Sequence, residues 1–160
     1  MRNEYEVNRA IDIYSDMIKR ICLVYLKNNE DTDDIFQTVF MKYLLSETEF
    51  KSEEHEKAWF IRVTINCCKD LMKNLFRKNT VPLDAIAELS EEITQENSDV
   101  LEAVLSLPKK YKEVVYLYFY EEYTAVEISK ILKKKVNTVY TLLSRAKAML
   151  RERLGGDEFE

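Results

Sequence analysis

The stretch TAVEISKILKKKVNTVYTLLSRAK, residues Thr124–Lys147, decides the fold of this 160-residue chain. Thr124 and Glu127 match a capping box, in which a hydroxyl and a carboxylate satisfy N–H groups of the first helical turn. The pattern predicts a short helix from Ala125 to Leu132, a turn of three lysines, and a last helix from about Asn137 to Leu154 that a Gly-Gly pair ends. This is the outline of a helix-turn-helix, whose second helix lies in the major groove of DNA.

The predicted helix-turn-helix divides its residues between a small core and an exposed face. Apolar positions at helical spacing form the core: Ile128, Ile131, Leu132, Val136, Val139, Leu142 or Leu143, and Ala146. The outward face carries side chains that can contact phosphates or base edges: Thr138, Tyr140, Thr141, Ser144, Arg145 and Lys147. A plain helical hairpin with a solvated basic face is the alternative interpretation.

Glycine and proline are scarce, with two of each in the whole chain. β-Sandwiches, α/β folds and small barrels need turn glycines, and phosphate-binding loops need glycine where the backbone meets the ligand. The first 154 residues contain none, while 46% of the chain is apolar. The composition therefore predicts an all-α protein with buried cores.

The net charge of −5 is distributed in blocks. Residues 59–79 carry +4 and residues 105–154 carry +6, whereas residues 80–104 carry −7 and no basic side chain. Basic blocks separated by an acidic one indicate two nucleic-acid-binding modules. We expect two small helical domains at 1–79 and 100–154, an acidic linker at 80–99 and an acidic tail at 155–160. For the linker, a solvated helix face within a single domain is the alternative.

Three helices are predicted in the first domain. The first runs from about Val7 to Leu26, and a loop at Asn28–Asp31 follows it. Thr32 is the expected N-cap of the second helix, which continues through Leu44. A polar loop then leads to a third helix from about Glu56 to Arg77.

The second domain is expected to contain a helix that Pro108 opens at its first turn, where a missing N–H costs nothing. The following stretch Val114–Tyr120 is rich in β-branched and aromatic residues, which favour a strand. It lies inside a longer charged run without a hairpin signal, so we expect a helix.

The second and third helices carry further candidate binding surfaces. Aromatic and basic residues interleave on the third helix, which suits unstacked bases on a positive surface: Trp59, Phe60, Arg62, Asn66, Lys69, Lys73, Arg77 and Lys78. The alternative is that Trp59 and Phe60 belong to the core. On the second helix, the stretch with Asp33, Asp34, Gln37 and Phe40 predicts a docking surface for a basic partner, with a solvated helix face as the alternative.

No catalytic residue, metal site or cofactor is predicted. Cys22, Cys67 and Cys68 fit neither a disulfide framework nor a zinc site, and we expect them on apolar faces in a reducing compartment. His55 is the single histidine and lies in a charged loop without a nucleophile at suitable spacing, so a surface residue is expected. The polar N-terminus and the absence of a long apolar run predict a cytoplasmic protein without membrane insertion.

Taken together and in this order, these stretches resemble the sigma-70 family of RNA polymerase sigma factors, and within it the extracytoplasmic-function group. The stretch Asp33 to Phe40 is similar to the family's Glu-Asp-Leu-x-Gln-x-x-Phe pattern, and Trp59-Phe60 through Asn66 and Asp70 is similar to its Trp-Leu…Asn…Asp pattern. The matches in the second domain are Leu107-Pro108 through Val114, Glu127-Ile128-Ser129, and Thr138-Val139 through Arg145-Ala146-Lys147.

The resemblance implies a two-domain transcription initiation factor and not an enzyme. The first domain would open the promoter and capture its minus-10 element, with Trp59, Arg62, Asn66, Lys69, Lys73 and Arg77 on that surface. The second domain would read the minus-35 element through the exposed face of the last helix. Asp33, Asp34, Gln37 and Phe40 would dock on the clamp helices of core RNA polymerase, whose flap is a second expected contact. An anti-sigma factor is a further candidate partner.

Four residues depart from the family pattern. Glu122 and Lys133 stand where the family usually has glycine, and at Lys133 a left-handed backbone or a re-shaped turn is expected. Tyr140 and Leu142 replace residues that are commonly basic, so fewer phosphate contacts are expected, with Leu142 as the greater loss.

Two other functions are compatible with parts of the sequence. A helix-turn-helix regulator acting without polymerase would leave the first-domain matches unexplained. A sigma-like interaction module without promoter activity would fit the weakened basic face at Tyr140 and Leu142.

Overall fold

The computed structural model describes residues 1–26, 28–77 and 98–155. These residues form two compact units, one N-terminal and one C-terminal, and all of their regular structure is helical. The predicted all-α fold is confirmed. The acidic linker predicted at 80–99 lies almost wholly outside the described residues, as does most of the acidic tail, so the domain boundaries stay a prediction.

The N-terminal unit is a bundle of three helices in which each helix packs on the other two. They are α1 (Glu4–Tyr25), α2 (Asn29–Leu45) and α3 (Glu53–Arg77). Their apolar residues recur at three- and four-residue spacing, so each helix presents one stripe to the centre. The largest fully buried side chains of this core are Ile18, Ile21, Val39, Tyr43, Phe60 and Ile61.

The first two helices begin earlier than their apolar patterns indicate. Asn3 caps α1 by accepting a hydrogen bond from the Glu6 N–H at 2.8 Å. The predicted cap at Thr32 is wrong, because Asn28 caps α2 and accepts from the Asp31 N–H at 2.7 Å. Asparagine is among the strongest N-cap residues, and it places Thr32 inside the first turn.

The C-terminal unit is built around its last helix. Its elements are α4 (Ser98–Leu105), α5 (Lys109–Val115), a π-helical segment (Tyr116–Tyr120), α6 (Ala125–Leu132) and α7 (Val136–Leu154). Helix α7 packs against α4, α5 and α6. The fully buried core side chains include Val114, Leu117, Ile128, Val139, Ala146 and Leu150.

The prediction that a helix follows Pro108 and continues through the aromatic stretch is confirmed. Pro108 is the N-cap of α5, and its carbonyl accepts from the Tyr111 and Lys112 N–H groups at 2.9 and 3.1 Å. The stretch up to Tyr120 is helical and not a strand. Its last five residues form a π-helix, marked by the Glu121 N–H donating to the Tyr116 carbonyl at 3.3 Å. This widened turn was not predicted from the sequence.

Two residues without glycine's freedom adopt the left-handed backbone on either side of α6. Glu122 has a φ of 59° and Lys133 a φ of 55°. The left-handed alternative expected at Lys133 is confirmed, and the Lys134 N–H that follows donates to the Ser129 carbonyl at 2.9 Å. At the other end of α7, Gly155 takes the same conformation as the predicted C-cap, with a φ of 76°.

Replacing Lys133 by glycine is expected to raise the free energy of unfolding of the C-terminal unit by about 0.5–1 kcal/mol. The left-handed conformation costs an L-residue about 1–2 kcal/mol, from which glycine's larger loss of backbone entropy is subtracted. Urea unfolding, with amide exchange in α6 and α7, measures the change. Lys130→Gly is the matched control, since Lys130 is an exposed residue inside α6, where glycine is expected to lower the stability. Equal stability of the two variants would contradict the strain at Lys133.

Candidate nucleic-acid interface

Helices α6 and α7 form the helix-turn-helix that the sequence predicts. The capping box at the start of α6 is confirmed: the Glu127 N–H donates to the Thr124 hydroxyl at 3.2 Å, and the Thr124 N–H donates to the Glu127 carboxylate at 3.0 Å. In the turn, the Lys134 ammonium lies 3.9 Å from the buried Glu113 carboxylate of α5. The two helices are thus fixed by contacts at both ends of α6.

One face of α7 exposes most of the predicted DNA-contacting residues. Those on the exposed surface are Thr138, Tyr140, Thr141, Ser144 and Arg145. Their three- and four-residue spacing places them side by side along the helix. The Thr141 hydroxyl donates to the Asn137 carbonyl at 3.0 Å, so its lone pairs remain available as acceptors. This face presents hydroxyls and one guanidinium, which can donate hydrogen bonds to phosphates and base edges.

Leu142 does not belong to that face. Only 7% of it is exposed, and both Leu142 and Leu143 lie in the core of the C-terminal unit. Both leucines offered as alternatives for the core are therefore buried, and the expected loss of a phosphate contact at Leu142 stays a prediction. A step of one residue along a helix turns the side chain by about 100°, which separates the inward Leu142 from the exposed Thr141.

Lys147 is half-buried, and its ammonium lies over an aromatic ring. The Nζ atom is 5.0 Å from the centroid of the Tyr118 ring and 5.9 Å from that of Phe119, both in the π-helical segment. Beside it is a cleft of about 480 Å³ lined by Tyr118, Thr124, Ala125, Tyr140, Leu143, Ser144 and Lys147. Tyr118 was not among the predicted binding residues, although it belongs to the aromatic run at 116–120.

The third helix carries its predicted polar residues on one face. Arg62, Asn66 and Lys73 are exposed and Lys69 is half-buried, while Arg77 is the last residue of α3 and its side chain is outside the described part. The spacing of these positions by three and four residues makes one continuous stripe. Two of the side chains that are exposed, Arg62 and Lys73, are cations, so the stripe suits a nucleic-acid backbone.

Trp59 lies between that stripe and the core. Its ring is half-buried and contacts Tyr43, Phe50 and Phe60, with centroids 5.8, 5.9 and 5.0 Å away. Phe60 is fully buried and stacks on Tyr14 at 4.5 Å. The core alternative is correct for Phe60, whereas Trp59 packs against the core and keeps part of its ring at the surface.

The buried carboxylate of Glu56 holds the three helices of this unit together. It accepts hydrogen bonds from Arg9 at 2.9 Å and Tyr14 at 2.9 Å on α1, and from Tyr43 at 3.0 Å on α2. Burial and the bond to Glu56 raise the pKa of Tyr14 and Tyr43, so both hydroxyls stay protonated donors. The bond to Glu56 likewise raises the pKa of Arg9. The role of Glu56 was not predicted, because it lies in a charged run, Glu53–Lys57, and nothing local marks it as buried.

Three of the four residues predicted to form a docking surface on α2 are exposed. Asp33, Asp34 and Gln37 are exposed on the face opposite the bundle core. Phe40 is a correction, since it is 6% exposed and packs on the rings of Phe36 and Phe60 at 4.7 and 5.5 Å. A bulky aromatic ring at that position gains more from burial in the core than from exposure.

The cysteines are buried and the histidine is exposed, as expected, but His55 lies in the first turn of α3 and not in a loop. Cys22, Cys67 and Cys68 are buried thiols, with the Sγ atoms of Cys22 and Cys68 3.9 Å apart, and burial raises the pKa of Cys67. His55 is exposed and its Nδ1 accepts from the Lys51 N–H at 3.2 Å. Within residues 1–26, 28–77 and 98–155 no group of acidic, cysteine and histidine side chains is placed to hold a metal ion. Over the same ranges, no helix has the length and apolar character to cross a membrane.

Comparison with known proteins gives two matches to family profiles. The profile of sigma-70 region 2 matches residues 10–79, which include the described part of α3 with its polar stripe. The profile of sigma-70 region 4 matches residues 98–150, which include the helix-turn-helix.

Whole-chain relatives agree with the profiles. The RNA polymerase sigma factor SigV of Bacillus subtilis is 31% identical over 84% of this chain and 82% of its own length. The ECF RNA polymerase sigma factor SigW of the same organism is 28% identical over 90% of this chain and 86% of its own. A chain in the co-crystal structure of the sigma factor RpoE with the anti-sigma factor NepR, from Bartonella quintana, has the same fold. It aligns with a TM-score of 0.72 at 17% identity, over 96% of this chain and 99% of that one.

Proposed function

Because this chain belongs to the extracytoplasmic-function group of the sigma-70 family, whose members are transcription initiation factors, we propose that it directs core RNA polymerase to promoter DNA. The observation that carries the proposal is the presence in one chain of both matched regions, each with its own exposed polar face. A protein of this kind acts by binding, so no residue is assigned a catalytic role. Its proposed target, chromosomal DNA, places it in the cytoplasm.

The C-terminal unit is proposed to read the minus-35 element. The exposed hydroxyls Thr138, Thr141 and Ser144 can bond phosphates or base edges, and Arg145 can reach a phosphate or a guanine. Tyr140 is exposed on the same face and can contact a base edge through its hydroxyl. The binding face of α7 is therefore mostly neutral, and its contacts to DNA are mainly hydrogen bonds.

The N-terminal unit is proposed to capture the minus-10 element in its opened form. The cations of the α3 stripe suit a single-stranded backbone, and the partly exposed ring of Trp59 offers a surface on which a base can stack. The Glu56 network holds α3 against α1 and α2, which keeps this surface rigid.

Docking on core polymerase is proposed for the exposed α2 face. Asp33, Asp34 and Gln37 form a polar, negatively charged patch that complements a basic surface. Charge complementarity of this kind speeds association and excludes wrong partners. A similar solved chain comes from a complex of a sigma factor with an anti-sigma factor, and we propose a regulator of that class as a further partner.

A helix-turn-helix regulator acting without polymerase is not favoured, because residues 10–79 match sigma-70 region 2 and that alternative gives them no role. Run-off transcription with purified core polymerase on genomic fragments tests the proposal. Promoter-specific transcripts that depend on the added chain are expected. Absence of both such transcripts and binding to core polymerase would overturn the proposal.

A further inference from the structure

The π-helical segment Tyr116–Tyr120 contributes two of its rings to the side of α7 that carries Lys147. Tyr116 and Tyr120 stack on each other, with centroids 5.7 Å apart. Tyr118 and Phe119 instead contact each other edge to face at 5.0 Å. The Tyr118 and Phe119 rings are the ones near the Lys147 ammonium. The π-helical turn that carries them is a type of turn found frequently at functional sites.

The Lys147 ammonium is in cation–π geometry with Tyr118. Its distance of 5.0 Å to the ring centroid is inside the limit of about 6 Å for this attraction, and Phe119 adds a second, weaker contact. The N–H groups of Lys147 that point away from the ring remain available as donors. The lysine is therefore held in place while it keeps its capacity to bind an anion.

The cleft next to Lys147 has the chemistry of an anion site. Thr124, Tyr140 and Ser144, which each carry a hydroxyl, line it together with Lys147, and no residue lining it carries a carboxylate. A phosphate accepts hydrogen bonds from hydroxyls and ammonium groups alike. Since Ser144 and Tyr140 also belong to the exposed α7 face, the cleft continues the surface proposed for DNA.

We propose that Tyr118 is a positioning residue for DNA recognition, holding Lys147 in the conformation in which its ammonium meets a backbone phosphate of the minus-35 duplex. The inference rests on the function proposed above and adds the π-helical segment to the site. A lysine that is already ordered loses less side-chain freedom on binding. From the strength of cation–π pairs at exposed sites, loss of the ring weakens DNA binding about two- to fivefold.

The test is a double-mutant cycle in the chain assembled with core polymerase, on a promoter duplex recovered by run-off transcription. Tyr118→Leu is expected to weaken binding about two- to fivefold, whereas Tyr118→Phe keeps the ring and the affinity. Lys147→Gln is expected to weaken binding and to lower the slope of log affinity against log salt by about 0.9, the value for one phosphate contact. In the Lys147→Gln background, Tyr118→Leu is expected to have no further effect.

A second measurement examines the contact without DNA. The NMR signals of the Lys147 ε-methylene are expected upfield in the native chain and in Tyr118→Phe, because the ring shields them, and at ordinary shifts in Tyr118→Leu. Ordinary shifts in the native chain would overturn the inference.

The outcomes separate this inference from the function on which it rests. An equal loss from Tyr118→Leu with and without Lys147 would show a merely structural role and overturn the inference. Loss of binding in Arg145→Ala but not in Lys147→Gln would overturn it while leaving the proposed function standing. If Arg145→Ala, Ser144→Ala and Lys147→Gln all bind like the native chain, the proposed minus-35 surface itself is wrong.

Discussion

Replacing Glu56 by alanine is expected to lower the free energy of unfolding of the N-terminal unit by about 2–6 kcal/mol. The substitution removes the acceptor of the Tyr14 and Tyr43 hydroxyls, and each buried polar group left without a partner costs about 1–3 kcal/mol. Arg9 also loses its carboxylate, but its side chain is 37% exposed and water can take that place. Small domains have total stabilities of about 5–15 kcal/mol, so the loss is a large fraction.

Urea unfolding of the full chain, followed by near-ultraviolet circular dichroism of the aromatic cluster, measures the effect. Glu54→Ala is the control, since it removes an exposed carboxylate from the same turn of α3 and should change stability by no more than about 0.5 kcal/mol. Glu56→Gln keeps one carbonyl oxygen as an acceptor and is expected to fall between the two. If Glu56→Ala were as stable as Glu54→Ala, the network would contribute nothing to the bundle.

Reversing one charge on the α2 docking face is expected to weaken binding to core polymerase about 100-fold. Asp34→Lys places a cation where the proposed partner surface is basic, and like charges brought together at an interface cost several kcal/mol, with each 1.4 kcal/mol giving a factor of ten. Asp34 lies beyond the first turn of α2, and the Thr38 hydroxyl donates to its backbone carbonyl rather than to its side chain. The fold is therefore expected to tolerate the change.

Binding of labelled chain to purified core polymerase measures this loss, and thermal unfolding checks the fold. Asp16→Lys makes the same charge change at an exposed position of α1 and is expected to bind core polymerase within about twofold of the native chain. Equal affinities of the two variants would show that α2 is not part of the interface with core polymerase.

Local chemistry accounts for the parts of the structure that could be predicted. The capping box at Thr124 and the Gly155 C-cap each need only residues within a few positions, so the bounds of α6 and the end of α7 follow from sequence alone. The scarcity of glycine likewise predicted the all-α fold, and the resemblance to a family that usually has glycine at this position predicted a left-handed backbone or a re-shaped turn at Lys133.

The predictions that were wrong concern the N-cap of α2 and the exposure of Phe40, which neighbouring residues in the sequence do not decide. Asn28 and Thr32 are both good N-caps one turn apart, and packing of the whole helix selects between them. Phe40 lies at the boundary of an apolar stripe, where the neighbouring helices decide which way a side chain faces.

Two side-chain contacts, one in each unit, join residues that are distant in sequence. Glu56 lies more than forty positions from both Arg9 and Tyr14, and Lys147 almost thirty from Tyr118. No short sequence motif indicates either contact, because each forms only when the helices pack.

The burial of the three cysteines makes the native chain suitable for site-selective labelling. Cys22 and Cys68 are fully covered and Cys67 is 8% exposed with its pKa raised by burial, so little reactive thiolate meets an alkylating dye at neutral pH. A cysteine introduced at one exposed helix position of each unit, such as Thr38 on α2 and Lys130 on α6, should accept a maleimide fluorophore while the native thiols stay unmodified. Energy transfer between such dyes would follow the two units through promoter binding without any change to the aromatic core.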